Sequence, residues 1–346
     1  MEIFMLMEGF EELCLIEDVE VLWSTRYNTV GEFEIVKRNA SDTDVFIFQN
    51  ATYVKRLDND YVGVIENVSM EETVEDGTTL TVSGRMLESI LDRRIVREQT
   101  TLSGYIETAI YQLLDDNVIN PKLKTRKIYN FAYASKKGIS KIINTQVTGK
   151  TLLEIISETC QSCNVGFRIK LQGARMIFEL YEGKNRANTS STDTPVIFSQ
   201  EFGNLLSSKY VRDTSQVKNY ALVAGEGEGK ERKTYGVGVN PGSGLDLREM
   251  FVDARDISSN NGELNEAEYN ARLSARGYDK IRSCTMTTAF QGDVDVTSYT
   301  FHKEFDLGDI VLVQNERWGV DMKPRIVEVL ESFDATGYTI NATFGE

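Results

Sequence analysis

The sequence predicts a β-rich α+β protein, with a β module at each end of the chain and mixed helix and strand between them. Three observations carry this reading. Residues 1–85 alternate short runs rich in Val, Ile, Phe and Tyr with turn signals. From Gly84 to Gln200 the pattern changes to helical spacing and then to a hairpin. From Cys284 onward the chain returns to strand patterns.

The first strands are expected in CLIEDVEVLWSTRYN, GEFEIVKRN, DVFIFQN, YVGVIENVSMEE and TTLTVSGR, separated by the turn signals ASDTD, RLDND and EDGT. Short strands at this spacing predict a small barrel or a sandwich. In GRMLESILDRRIV, Met86, Leu87, Ile90 and Leu91 have helical spacing. A second helix is expected over 102–117 with Ser103 as its cap. A third is expected over 149–163, where Thr151 and Glu154 have the spacing of a capping box. VGFRIKLQ and RMIFELYEG then form a hairpin about Gly173.

KNRANTSSTDTP (184–195) reads as an exposed loop, followed by strands in VIFS, SKYVRDTS and KNYALVAGEG and a loop at 236–244. The longest helix is expected over 263–282. The closing strands are CTMTTAFQ, TSYTFHKEF, DIVLVQNE, KPRIVEVLESFD and GYTINATFG. The division expected is a β module at 1–95, an α+β middle at 96–200, a linking region of strands, loop and long helix at 201–283, and a second β module at 284–346.

Composition narrows function. A formal net charge of −15 argues against sequence-independent DNA binding, which depends on clustered Lys and Arg. No apolar run approaches the length of a membrane span, so no membrane insertion is expected. The apolar but acidic start MEIFMLMEGFEE lacks the basic flank of a secretion signal. Of the four cysteines only Cys160 and Cys163 are close in sequence, without two further ligands for a metal, and they read as reduced structural thiols. A single histidine, His302, removes the usual base of many catalytic schemes and reads as an exposed strand position. No catalytic, cofactor or metal residue is assigned, and an enzyme is not expected.

ALVAGEGEGKER (221–232) has the glycines of a phosphate loop at Gly225, Gly227 and Gly229, with Lys230. Yet Lys230 is followed by Glu231 rather than Ser or Thr, no helix follows, and Glu226 and Glu228 would repel a phosphate. As a metal site, Glu226, Glu228 and Glu231 match no calcium loop. A strand running into an exposed acidic turn is the reading that remains. Arg93 and Arg94 are candidates for surface ion pairs or an interface anchor, and Trp23 and Trp318 for core or interface positions.

Several of these stretches together resemble siphophage tail-hub (baseplate-hub) proteins. The carriers are WSTRYNTVGEFEI, GRMLESILDRRIV, GKTLLEII, FELYEGKNR, FSQEFGNLLSSKYVRDTS, KNYALVAGEGEGKER and FDLGDIVLV, in that order. Nothing is aligned at 96–148 or 236–283. The resemblance implies a structural protein of the virion tail tip, assembled in the host cytoplasm. It implies two small β-barrels at the chain ends with an α+β insertion, and a homotrimeric ring around the channel for DNA ejection. Partners so implied are a tail-tube or distal tail protein, a tape-measure protein and a central fibre or tip protein. DNA would pass without specific binding. The rival readings are a carboxylate-based cell-wall glycan hydrolase, needing two carboxyls across a groove, and a carbohydrate-binding module using aromatics such as Trp318 or Tyr235.

Overall fold

Apolar runs at the N-terminus form the first strands: β1 (Ile3–Leu6), β2 (Glu12–Ile16), β3 (Glu20–Arg26) and β4 (Glu32–Lys37). β4 turns Phe33 and Ile35 inward and Glu32 and Glu34 outward, as a pleat requires. The computed structural model describes residues 2–75, 77–187, 195–259, 264–284 and 286–345. It divides into two compact units, Met1–Lys209 with Phe290–Gly345, and Tyr210–Ala289.

DVFIFQN, expected as a strand, is helix α1 (Asp42–Asn50). The ASDTD taken for a turn is its cap. Ser41 Oγ accepts from Asp44 N at 3.2 Å, and the Asp44 carboxylate accepts from Ser41 N at 2.8 Å. This reciprocal pair favours helix entry over strand. β5 (Tyr53–Arg56), β6 (Val62–Thr73) and β7 (Gly77–Met86) follow.

GRMLESILDRRIV splits between the end of β7 and a tight 3-10 helix at Leu87–Arg93, which buries Leu87, Ile90 and Leu91 as the spacing predicts. Gly84 lies in the ladder, where a Cβ would come 1.9 Å from Val64 O.

The helix expected over 102–117 begins later. Ser103 sits in strand β8 (Thr100–Tyr105), and α2 covers Ile106–Leu114 before one π-type turn, Asp115–Ile119. Glu107 at its start accepts three backbone N–H groups, from Lys137 (2.6 Å), Gly138 (2.8 Å) and Ile139 (2.9 Å). β9 (Phe131–Tyr133) and β10 (Ile142–Val147) precede α3 (Leu152–Cys163), whose Thr151–Glu154 capping box forms as expected. β11 (Gly166–Gln172) and β12 (Arg175–Tyr181) make the expected hairpin, with Gly173 at φ +59°.

β13 (Ile197–Ser199) follows the 184–195 loop, of which 188–194 lie outside the described residues. The chain enters the second unit along β14 (Lys209–Asp213). There β15 (Tyr220–Ala224) pairs antiparallel with β16 (Thr234–Gly238) and parallel with β17 (Glu249–Asp253). Helix α4 (Glu266–Arg282) buries Tyr269, Leu273 and Ile281 in one core with Ala221, Val223, Val237 and Val252. The chain returns along β18 (Thr287–Val294) and ends with β19 (Leu312–Asn315), β20 (Val320–Met322), β21 (Arg325–Asp334) and β22 (Gly337–Gly345).

TSYTFHKEF is not the expected strand. Asp295 draws in the Thr297 and Ser298 hydroxyls, Glu304 takes the Thr300 N–H, and His302 adopts φ +68°. Side-chain bonds to nearby groups outcompete the ladder here.

In the first unit the sheet order is β18-β22-β21-β3-β4-β7-β6-β5-β1-β2. The decisive ladder is β21 against β3, pairing Glu328 with Arg26 and Glu331 with Trp23. Both ends of the sequence therefore share one sheet, over separate cores. One holds Trp23, Phe33, Ile35 and Phe48, and another Phe198, Phe290, Phe305 and Phe344. A third lies under α2, α3, β11 and β12. No pairing among the described residues closes the sheet on itself.

Candidate assembly site

Three of the stretches that carried the resemblance, WSTRYNTVGEFEI, FELYEGKNR and FDLGDIVLV, meet at one buried node. Tyr27 is fully enclosed; its N–H donates to Val327 O (2.9 Å) and its carbonyl accepts from Phe167 N (3.0 Å), which ties β21 and β11 to the end of β3. Gly166 and Gly308 lie against its ring, and a Cβ on either would come within 2.4 Å or 2.3 Å of it. Arg26 reaches Glu328 (2.8 Å), Glu32 (2.7 Å) and Val30 O (3.1 Å). EGKNR meets FDLGDIV through buried Asp309, which accepts from Arg186 Nε (2.6 Å) and Lys184 N (2.7 Å). The motifs are architectural.

A second buried charge group was not visible in sequence. Arg56 and Glu331, 2% and 1% exposed, form a two-pronged ion pair at 2.5 and 3.0 Å. Asp58 adds two bonds to Arg56 (2.6 and 2.9 Å), and Tyr338 Oη donates to Glu331. The partners are separated by 275 positions, beyond any local pattern.

The four interface candidates scatter. Trp23 is fully buried beside Phe33 and under Arg56, so it belongs to the core. Trp318 is 48% exposed on a short 3-10 turn held by Asn315. Arg93 is exposed, and Arg94 is half-buried with its Nε on Arg126 O at 2.8 Å. Cys160 is buried and Cys163 half-buried, both as free thiols.

In the second unit ALVAGEGEGKER is the β15–β16 turn, with Gly227 and Gly229 at φ +98° and +54°. Glu226 accepts from Ser259 N and Lys233 Nζ, both at 3.0 Å. Those bonds, the Ser259 N–H first, hold its carboxyl down to about 2. Arg232 folds back onto Ala224 O, Gly225 O and Asp253. Glu228 and Glu231 are exposed. Among the described residues no cluster of His, Cys, Asp and Glu could hold a metal.

Two open depressions lie on the first unit. One, about 620 Å³, is lined by Glu32, Glu34, Glu66, Arg85 and Glu328 with exposed Leu22 and Leu330. The other, about 420 Å³, brings Asp58, Asp60 and Asp306 beside Tyr61, Arg168 and His302. Burial alone would raise Asp58 and Asp306, but Arg56 and His302 respectively bring both below the ordinary carboxylate range. Glu66 is likewise lowered, chiefly by Arg85. A glycosidase acid needs the opposite shift.

The one carboxyl raised among the described residues is Glu88, pushed to about 7 by complete burial, against the opposing N–H of Ile169 at 2.7 Å. It lines neither depression. Because its folded value lies above the unfolded one, its contribution to stability is full below the unfolded value of roughly 4.3 and is lost as pH rises through about 7. Glu88→Gln is therefore expected to flatten the fall in stability between mildly acidic and mildly alkaline pH, by up to about 3 kcal/mol. Urea midpoints for both proteins across that range check it; identical pH slopes would refute the assignment.

Known proteins agree with this architecture. Residues 15–346 match the family described as Siphovirus ReqiPepy6 Gp37-like protein. No curated protein sequence matches the chain. Among solved structures, the 43 kDa tail protein of prophage MuSo2 from Shewanella oneidensis superimposes with a TM-score of 0.56 at 12% identity, over 99% of this chain and 98% of that one. A tail protein from Neisseria meningitidis MC58 gives 0.56 at 14% identity, over 100% and 96%. A chain of the Francisella PdpA–VgrG complex gives 0.50 at 10%, covering all of this chain and 57% of its own length. Matched over residues 15–346 and superimposed along nearly its whole length, this chain belongs to the Siphovirus ReqiPepy6 Gp37-like family and has the fold of phage tail proteins.

Proposed function

We propose that the protein is a structural hub of the tail tip, assembling as a homotrimeric ring that joins the tail tube to the tip and surrounds the path of ejected DNA. The observation that carries this is full-length agreement with solved tail proteins, with no large segment left over on either side. The two end modules each have their own apolar core and are joined through β21 and β3 in one sheet that does not close; on this reading they correspond to the paired barrels of such a ring. Its domains are a barrel at 1–95, an α+β insertion at 96–200, a linking region at 201–283 and a barrel at 284–346. On this reading Arg93, Arg94 and Trp318 would serve subunit contacts, whereas Trp23 is a core residue.

The partners on this reading are a tail-tube or distal tail protein, a tape-measure protein and a central fibre or tip protein. The role is assembly without turnover, in the virion after assembly in the host cytoplasm. A closing ring needs complementary patches on each subunit rather than a catalytic pocket. Solution mass by light scattering tests the reading directly. A trimer is expected, appearing alone or once a tail-tube partner is added; a strict monomer under both conditions sinks it.

A further inference from the structure

The negative charge of the chain is unevenly distributed. Between Arg93 and Lys150 there are eleven Lys and Arg against four Asp and Glu, a local excess of seven positive charges in a chain of net −15, so the remainder carries −22. Part of this excess is gathered onto one surface. Arg126 donates to Ile95 O at 2.6 Å, and Arg94 donates to Arg126 O at 2.8 Å, which clamps the 93–97 segment against the 122–129 segment.

That clamp collects Arg93, Arg94, Arg97, Lys124, Arg126 and Lys127, none of which makes an ion pair among the described residues. Glu98 is bonded to Lys122 (2.8 Å) and Asp92 to Arg85 (3.2 Å); Glu98 also feels the charge of Arg97, and Glu66 that of Arg93, with no ion pair formed in either case. Burial, and then the charges of Arg97 and Arg94, pull the Arg126 guanidinium below its ordinary value. Between the cations stand exposed apolar groups: Ile95 at 48%, Leu123 at 51% and Tyr129 at 74%.

We infer that this surface, Arg93–Arg97 with Lys124–Tyr129, is a docking site for a protein partner that presents carboxylates around an apolar spot. The cations identify an anionic partner, and Arg forks pair with carboxylates two-pronged. The interspersed Ile, Leu and Tyr select protein over nucleic acid, since arginine and tyrosine around a desolvated apolar centre make the anchors of protein interfaces. The inference is independent of the ring: it holds for a monomer or a trimer.

The test uses the full-length protein and two labelled probes, poly-L-glutamate and a short duplex DNA, in fluorescence anisotropy at low salt. Poly-L-glutamate is expected to bind, to bind more tightly than the DNA, and to weaken as salt is added. Arg93→Glu/Arg97→Glu/Lys124→Glu should lower its affinity at least about tenfold. The same charge change at Lys209→Glu/Lys280→Glu/Lys303→Glu should leave most of it. Should the first triple variant fold poorly, Arg97→Gln/Lys124→Gln replaces it, with a smaller loss in the same direction. Failure of poly-L-glutamate to bind, tighter binding of DNA, or equal losses in the two triple variants would each overturn the assignment.

Discussion

Glu331→Ala is expected to cost about 3–5 kcal/mol, the loss typical when one member of a buried ion pair is removed. The cost comes from what is left behind. Arg56 would remain 2% exposed with only Asp58 to answer it, and the Tyr338 hydroxyl would lose its acceptor. Leaving a buried guanidinium with one partly exposed partner costs more than losing a surface bridge. The matching apolar replacement, Arg56→Met with Glu331→Leu, should recover most of the loss, because it removes both buried charges at once. Urea denaturation of Arg56→Met, Glu331→Leu and their double variant, read as a thermodynamic cycle, measures the coupling. A loss below about 1 kcal/mol for Glu331→Ala would place the pair in the class of solvated surface bridges.

Gly308→Ala is expected to be comparably damaging for a different reason. Gly308 sits at φ +86°, which already strains any residue with a Cβ, and that Cβ would lie 2.3 Å from the Tyr27 ring. The ring cannot retreat, because Tyr27 is fully buried and fixed by backbone bonds to Val327 and Phe167. The Gly183 position is equally tight, with a built Cβ 2.0 Å from the Gly308 carbonyl. Strain and overpacking together should exceed about 3 kcal/mol. Loss of soluble protein, or a thermal midpoint many degrees lower, is the expected readout; an unchanged midpoint would mean that the loop shifts freely.

Local signals were legible where local chemistry decided the outcome. The Thr151–Glu154 box and the Gly173 hairpin follow from residues within a few positions of one another. Errors arose where two local readings competed. Ser41-Asp42-Thr43-Asp44 satisfies a turn and a capping box equally well on paper, and the helix prevails because both reciprocal bonds form. Ser103 resembled a cap, yet its backbone pairs with Asn144 in a ladder that only the later strand supplies.

The candidate site was less legible for a related reason. Arg56 with Glu331 and Arg186 with Asp309 are joined across 275 and 123 positions, so nothing near either residue announces its partner. Net charge misled in the opposite way. Averaging over the whole chain concealed the basic segment between Arg93 and Lys150. Trp23 was as compatible with a surface as with a core until β21 covered it.

The pairing of β3 with β21 also constrains how the protein is made. Ser24 and its partner Glu328 are separated by 304 positions. At a synthesis rate of roughly 5–20 residues per second, β3 leaves the ribosome about 15–60 s before its neighbour exists. During that interval one side of the N-terminal strands is an open row of N–H and C=O groups, able to capture another nascent chain instead. Yield in the host should therefore depend on how quickly the last strands arrive and on chaperones that shield the first ones.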